Sequence, residues 1–177
     1  GIIEELANVQ TTWEPPGKST TNGFQTRANI NLFLIDSVNM AQLKAIIINE
    51  LEAYKLKFRN ESCSFIKKWP AESDLFGWHV VLKDQGYQSA HIHTGGWISG
   101  VIYLKVVPSL GNDEGAIEFS LNSEYYHDPS SLKLILQPEV GDIVLFPSSL
   151  HHRTIPFTTE SERIIISFDL IPIKPIL

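Results

Sequence analysis

Apolar residues recur along this chain with two periods. From Ser37 the run SVNMAQLKAIIINELEAYKLKF spaces Leu43, Ile47, Leu51, Tyr54 and Phe58 by three and four residues, with Asp36 or Ser37 available to cap the first turn. That spacing predicts one long amphipathic helix laid on a sheet. After Trp69-Pro70 the period shortens. The segments WHVVLK, SAHIHT, ISGVIYLKVV, AIEFSL, LKLILQ, DIVLFP, HHRTIP and RIIISFDLI are rich in β-branched and aromatic residues. Gly, Pro, Asn and Asp punctuate them in LGNDEG, HDPSS and PEVGD. Eight short strands at that spacing predict a mainly β, two-sheet or closed architecture, a jelly roll or barrel. Residues 71–177 would form its core. Residues 1–70 would supply the helix and supporting strands, with TRANINLFLI and SFIKKW as candidate extra strands.

Composition narrows the picture. A chain of 177 residues, 43% hydrophobic, is long enough to bury one core, and a single domain is expected. The net charge of −6 argues against nucleic acid as a partner, since phosphate neutralisation needs a clustered Lys/Arg excess. No stretch is apolar for the roughly 20 residues of a membrane span. GIIEELANVQ lacks the basic start of a signal peptide. The lone Cys63 forms no intrachain disulfide and reads as a small buried residue, so a reducing, cytoplasmic setting is expected.

The chemistry concentrates in histidines. In an extended strand, residues i and i+2 share a face, so His91 and His93 of HIH can turn two imidazoles toward one metal. The His151-His152 pair follows the strand DIVLFP, and ligands from two separated strands can close a site. His79 sits among apolar neighbours and reads as a core or edge histidine, and His127 as a loop residue. Arg163 opens an apolar strand whose alternation groups Arg163, Ile165, Ser167 and Asp169. The strand after HIH likewise groups Ser99, Val101 and Tyr103. A buried arginine needs an anion. Asp169, another carboxylate of the fold or a carboxylate cosubstrate could supply it.

Three segments, QSAHIHTGGWISGVIYL, PEVGDIVLFPSSLHHRTIPF and ERIIISFDLIP, together resemble a family of 2-oxoglutarate/Fe(II) oxygenases. Its members often occur as C-terminal domains of tetratricopeptide-repeat proteins and in phage-related genes. The resemblance implies a double-stranded β-helix, the cupin-like jelly roll, with iron at its mouth. It implies His91, His93 and His152 as metal ligands and catalytic centre. Arg163 would bind the far carboxylate of 2-oxoglutarate, helped by the hydroxyls of Tyr103 and Ser99. The implied reaction uses O2 and hydroxylates a substrate while 2-oxoglutarate becomes succinate and CO2. Two positions depart from the wider superfamily. His93 stands where Asp or Glu is usual, and Ile165 where a Ser or Thr follows the arginine. Gly95, Gly96 and Trp97 would leave room for a substrate and wall it.

Two rival readings share the fold: a three-histidine cupin-type dioxygenase that does not use 2-oxoglutarate, and a jelly-roll ligand-binding module that is not an enzyme. The substrate could be a small molecule or a protein side chain. The sequence leaves substrate identity and oligomeric state open.

Overall fold

The computed structural model describes residues 1–108, 110–123 and 125–173. Near the N-terminus come a short helix α1 (Ile2–Leu6) and the strands β1 (Thr11–Trp13) and β2 (Thr20–Thr26). A 3-10 turn (Leu32–Leu34) precedes the long helix α2 (Val38–Lys57) and the short α3 (Ser64–Lys67). The remaining strands are β3 (Ser73–Gln88), β4 (Ile98–Lys105), β5 (Ile117–Ser120), β6 (Leu134–Leu136), β7 (Ile143–Pro147), β8 (His151–Thr154) and β9 (Arg163–Pro172).

They form two sheets, a six-stranded one in the order β1-β2-β3-β9-β4-β7 and a three-stranded one in the order β6-β5-β8. All pairings are antiparallel. This is the mainly β, two-sheet fold that the spacing predicts. The last strand, β9, lies between β3 and β4, and both β4 and β9 are buried almost throughout. Burial on both faces explains why they read as near-continuous apolar runs.

The large sheet separates two cores. On one face Leu75, Ile98, Ile102, Ile166, Phe168 and Leu170 pack against Met40, Ile47 and Leu51 of α2. On the other, Val80, Leu82, Val101, Tyr103 and Ile165 meet Ile117 and Phe119 of the small sheet. The two faces alternate residue by residue, as strand geometry requires. Two glycines set the helix-side spacing: a Cβ on Gly100 would lie 2.1 Å from the Phe168 ring, and one on Gly77 would lie 2.3 Å from Phe33.

The long helix begins where expected, with Ser37 Oγ accepting from the Asn39 and Met40 amides at 3.2 and 3.3 Å. Its amphipathic contrast is weak, because Val38, Ile46, Ile48 and Leu56 stay exposed. Several expectations are corrected. SFIKKW holds helix α3, and NLFLI holds the 3-10 turn. SAHIHT forms no regular strand; His91 makes a lone bridge to His152. The small sheet already pairs β8 with β5 on its other edge, and the Gly95-Gly96 turn follows at once. Cys63 is exposed, at the start of α3. Among the described residues, no helix is long and apolar enough to cross a membrane.

Candidate metal and cosubstrate site

His91, His93 and His152 come together at the mouth between the sheets. One ring nitrogen from each lies within 4.8 Å of the others. The bridge that brings them there is mutual: His91 N donates to His152 O and His152 N to His91 O, both at 3.1 Å. His93 is held separately, its amide donating to Ser148 O at 2.9 Å. Phe146, with its ring 4.5 Å from that of His152, backs the group.

Each imidazole is fixed through Nδ1. His91 Nδ1 lies 2.6 Å from Ser89 O, and His152 Nδ1 3.0 Å from Leu150 O. His93 Nδ1 lies 2.6 Å from Asp169 Oδ1. These oxygens can only accept, so the ring protons belong on Nδ1 and the Nε2 atoms carry lone pairs. The Nε2 atoms of His91 and His93 are 3.2 Å apart. Two lone pairs at that distance repel unless a cation lies with them. Burial lowers the pKa of His91 to about 4 and that of His152 to about 3, helped by the neighbouring imidazoles, so these two rings are held neutral. Anchored Nδ1 atoms with converging Nε2 atoms match how proteins orient histidines for a metal.

Ser99 donates to Asp169 Oδ1 at 2.6 Å and lies 2.8 Å from Ser148 Oγ and 2.9 Å from His93 Nδ1. Its hydroxyl therefore serves the carboxylate behind His93. Of the anions open to Arg163 from the sequence, Asp169 is thereby set aside. The two share a strand face but stand six residues apart, roughly 20 Å along β9.

Arg163 is 1% exposed, its guanidinium 5.0 Å from the centre of the Tyr103 ring. Nε donates to Gly115 O at 3.1 Å. One terminal nitrogen of Arg163 and the Tyr103 hydroxyl, both fully buried, have no hydrogen-bond partner. Burial lowers the arginine pKa and raises that of the tyrosine. A buried cation and hydroxyl left short of partners are costly unless an anion joins them. A narrow cavity runs between Arg163 and the three histidines, lined also by Val101, Ile165 and Ser167. It measures about 10 Å³, room for one water, so an organic acid enters only if lining side chains such as Trp78 or Gln88 turn aside.

Trp97 does not wall this space. Its ring stacks on Phe65 at 5.2 Å, on the helix side of the sheet. Gly95 borders the outer cleft, and Gly96 passes close to Ser148, where a Cβ would lie 2.5 Å from Oγ. His79 is buried on the helix-side parity of β3, its Nδ1 2.7 Å from Thr26 Oγ1, and His127 is exposed.

The pair of sheets, with three histidines at the mouth and a buried arginine inside, defines a jelly-roll protein with a candidate metal site. The chain belongs to the family described as "Putative 2OG-Fe(II) oxygenase", whose profile matches residues 77–169. Solved structures agree on the fold. A Pseudomonas putida prolyl-4-hydroxylase is similar with a TM-score of 0.63 at 12% identity, over 98% of this chain and 85% of that one. SnoK, an alpha-ketoglutarate-dependent carbocyclase from nogalamycin biosynthesis, gives 0.64 at 12%, over 96% and 72%. HygX from Streptomyces hygroscopicus, solved with nickel and 2-oxoglutarate bound, gives 0.54 at 13%, over 97% and 77%. No curated protein sequence matches.

Proposed function

We propose that the protein is a 2-oxoglutarate- and Fe(II)-dependent dioxygenase that hydroxylates its substrate. The observation that carries this reading is one cavity lined at one end by the three convergent imidazoles and at the other by the buried Arg163, one of whose terminal nitrogens has no hydrogen-bond partner. His91, His93 and His152 would hold iron. Arg163 and Tyr103 would hold the distal carboxylate of 2-oxoglutarate. When bound, iron supplies the coupling of O2 to 2-oxoglutarate, giving succinate, CO2 and one oxygen atom inserted into a substrate C–H bond.

The chain's own part is placement and exclusion of water. Arg163 offers a charge-assisted contact in a dry interior, where Val101 and Ile165 keep solvent out. Tyr103 would add a hydroxyl donor from the neighbouring strand β4. Asp169, itself held by Ser99, fixes the orientation of the His93 ring. Ser99 thereby acts as a positioning residue.

Anaerobic addition of Fe(II) and then 2-oxoglutarate should produce a visible charge-transfer band, and admission of O2 should yield succinate slowly even without substrate. His152→Ala should abolish both. Succinate formation that persists in that variant would overturn the assignment. Iron binding with no response to 2-oxoglutarate would instead favour the three-histidine cupin dioxygenase, and neither iron nor 2-oxoglutarate binding the non-enzymatic module.

A further inference from the structure

Outside the histidines lies a second, larger cleft of about 420 Å³, within the range of small-molecule sites. His91 and His93 border it on the inside. Its outer wall comes from the β1–β2 turn and the end of β2, which bring Lys18 and Arg27 to the rim, both exposed. The carboxylate in the lining is that of Asp169, already occupied by His93 and Ser99. On a chain of net charge −6, this cleft therefore faces outward with two cations and no free acid.

Its floor has a definite hydrogen-bond pattern. Thr20 Oγ1 donates to Gln25 Oε1 at 2.9 Å and accepts from Gln88 Nε2 at 3.4 Å, and all three side chains are buried. A hydroxyl has one proton to give. In this arrangement Thr20 uses the carbonyl of Gln25 and the amide N–H of Gln88, which leaves the NH2 group of Gln25 and the carbonyl of Gln88 unused by it. Gln25 and Gln88 thus offer a complementary donor–acceptor edge beside the histidines, with the indole of Trp78 as a flat wall.

We propose that the prime substrate is a small anion, a carboxylate or a phosphate, carrying a neighbouring amide-like planar group. Lys18 and Arg27 hold the anion, and Gln25 and Gln88 hold the donor–acceptor edge. This rests on the oxygenase reading only for what happens next to the substrate. The cleft and its polarity stand independently of the iron.

The test is a nuclear magnetic resonance titration of the full metal-free chain, following the side-chain amides of Gln25 and Gln88 and the Trp78 indole. The probes are N-acetylglycinate, its neutral counterpart N-acetylglycinamide, and inorganic phosphate. N-acetylglycinate should shift both glutamine signals saturably and bind at least about tenfold more tightly than the neutral amide. The double variant Lys18→Ala/Arg27→Ala, in exposed positions, should erase that advantage and leave N-acetylglycinamide binding unchanged. Phosphate that displaces N-acetylglycinate at lower concentration assigns the anion as phosphoryl, and the reverse order as carboxylate. Equal affinity for charged and neutral probes, a charge preference that survives the double variant, or no saturable shift at Gln25 and Gln88 would overturn the proposal. Because no metal is added, a missing 2-oxoglutarate turnover would count against the centre and not against this cleft.

Discussion

The two faces of the large sheet use the same strands for opposite purposes. Along β9, Ile166, Phe168 and Leu170 point to α2, where apolar surface meets apolar surface. The residues of opposite parity, Arg163, Ser167 and Asp169, face the small sheet with a buried cation, a hydroxyl and a carboxylate. On the helix side even the polar His79 is hydrogen-bonded, to Thr26. On the interior side Arg163 and Tyr103 are left short of partners. Stability and binding are thus separated by one residue of register, and a side chain's parity says which of the two it serves.

Substitutions that respect parity should split the two properties. The largest effect belongs to the helix side. Phe168→Ala should cost about 3 to 5 kcal/mol of stability through a cavity beneath α2, seen as a lower urea midpoint, while the folded fraction keeps its iron affinity. Arg163→Leu should do the reverse. It should weaken 2-oxoglutarate binding by about 30- to 3000-fold, in titration of the iron-loaded protein, and leave the urea midpoint unchanged or raised. A fall in stability without a fall in affinity would assign Arg163 to the scaffold.

His79 sharpens the comparison through pH. Burial lowers its folded pKa to about 4, against 6.5 unfolded, so the unfolded chain takes up the proton first as pH falls. Its contribution is intact above pH 6.5 and drains away between about pH 6.5 and 4, by on the order of 3 kcal/mol. His79→Gln should flatten that part of the stability profile. A profile of unchanged slope would mean that the ring is not held neutral. The smallest effect is at the boundary of the two functions. Asp169→Ala should lower metal affinity by about 10- to 100-fold, measured by competition with a chelator, because His93 loses its orienting carboxylate.

Much of this division could be read in the sequence, for a specific reason. Alternation is a local property, so the grouping of Ser99 with Val101 and Tyr103, and of Arg163 with Asp169, followed from strand geometry. The partner of each group is a matter of register between distant strands. Ser99 pairs with Asp169 across β4 and β9, and no local pattern announces that. For the same reason Asp169 was legible as an interior carboxylate but not as the anchor of His93. Gln25 and Gln88 gave no signal, because the site they line needs β2 beside β3 before either amide has a role. HIH was read as a strand because its spacing is two, yet a single bridge is enough to aim both rings. Trp97 beside Gly96 looked like a wall of the site, but its backbone pairs with Leu170 and the ring falls to the helix side.

That single bridge between His91 and His152 also bears on how the molecule assembles. The two residues are separated by roughly 60 positions, a loop whose closure must be paid in chain entropy before any contact repays it. Neither α2 nor the β3–β9 ladder contains the pair, so helix and large sheet can form with the histidines still apart. The convergence of the three imidazoles therefore reports on the docking of the small sheet, and a folding intermediate holding only the large sheet would be blind to metal. The rate of metal uptake during refolding should then follow the docking of the small sheet.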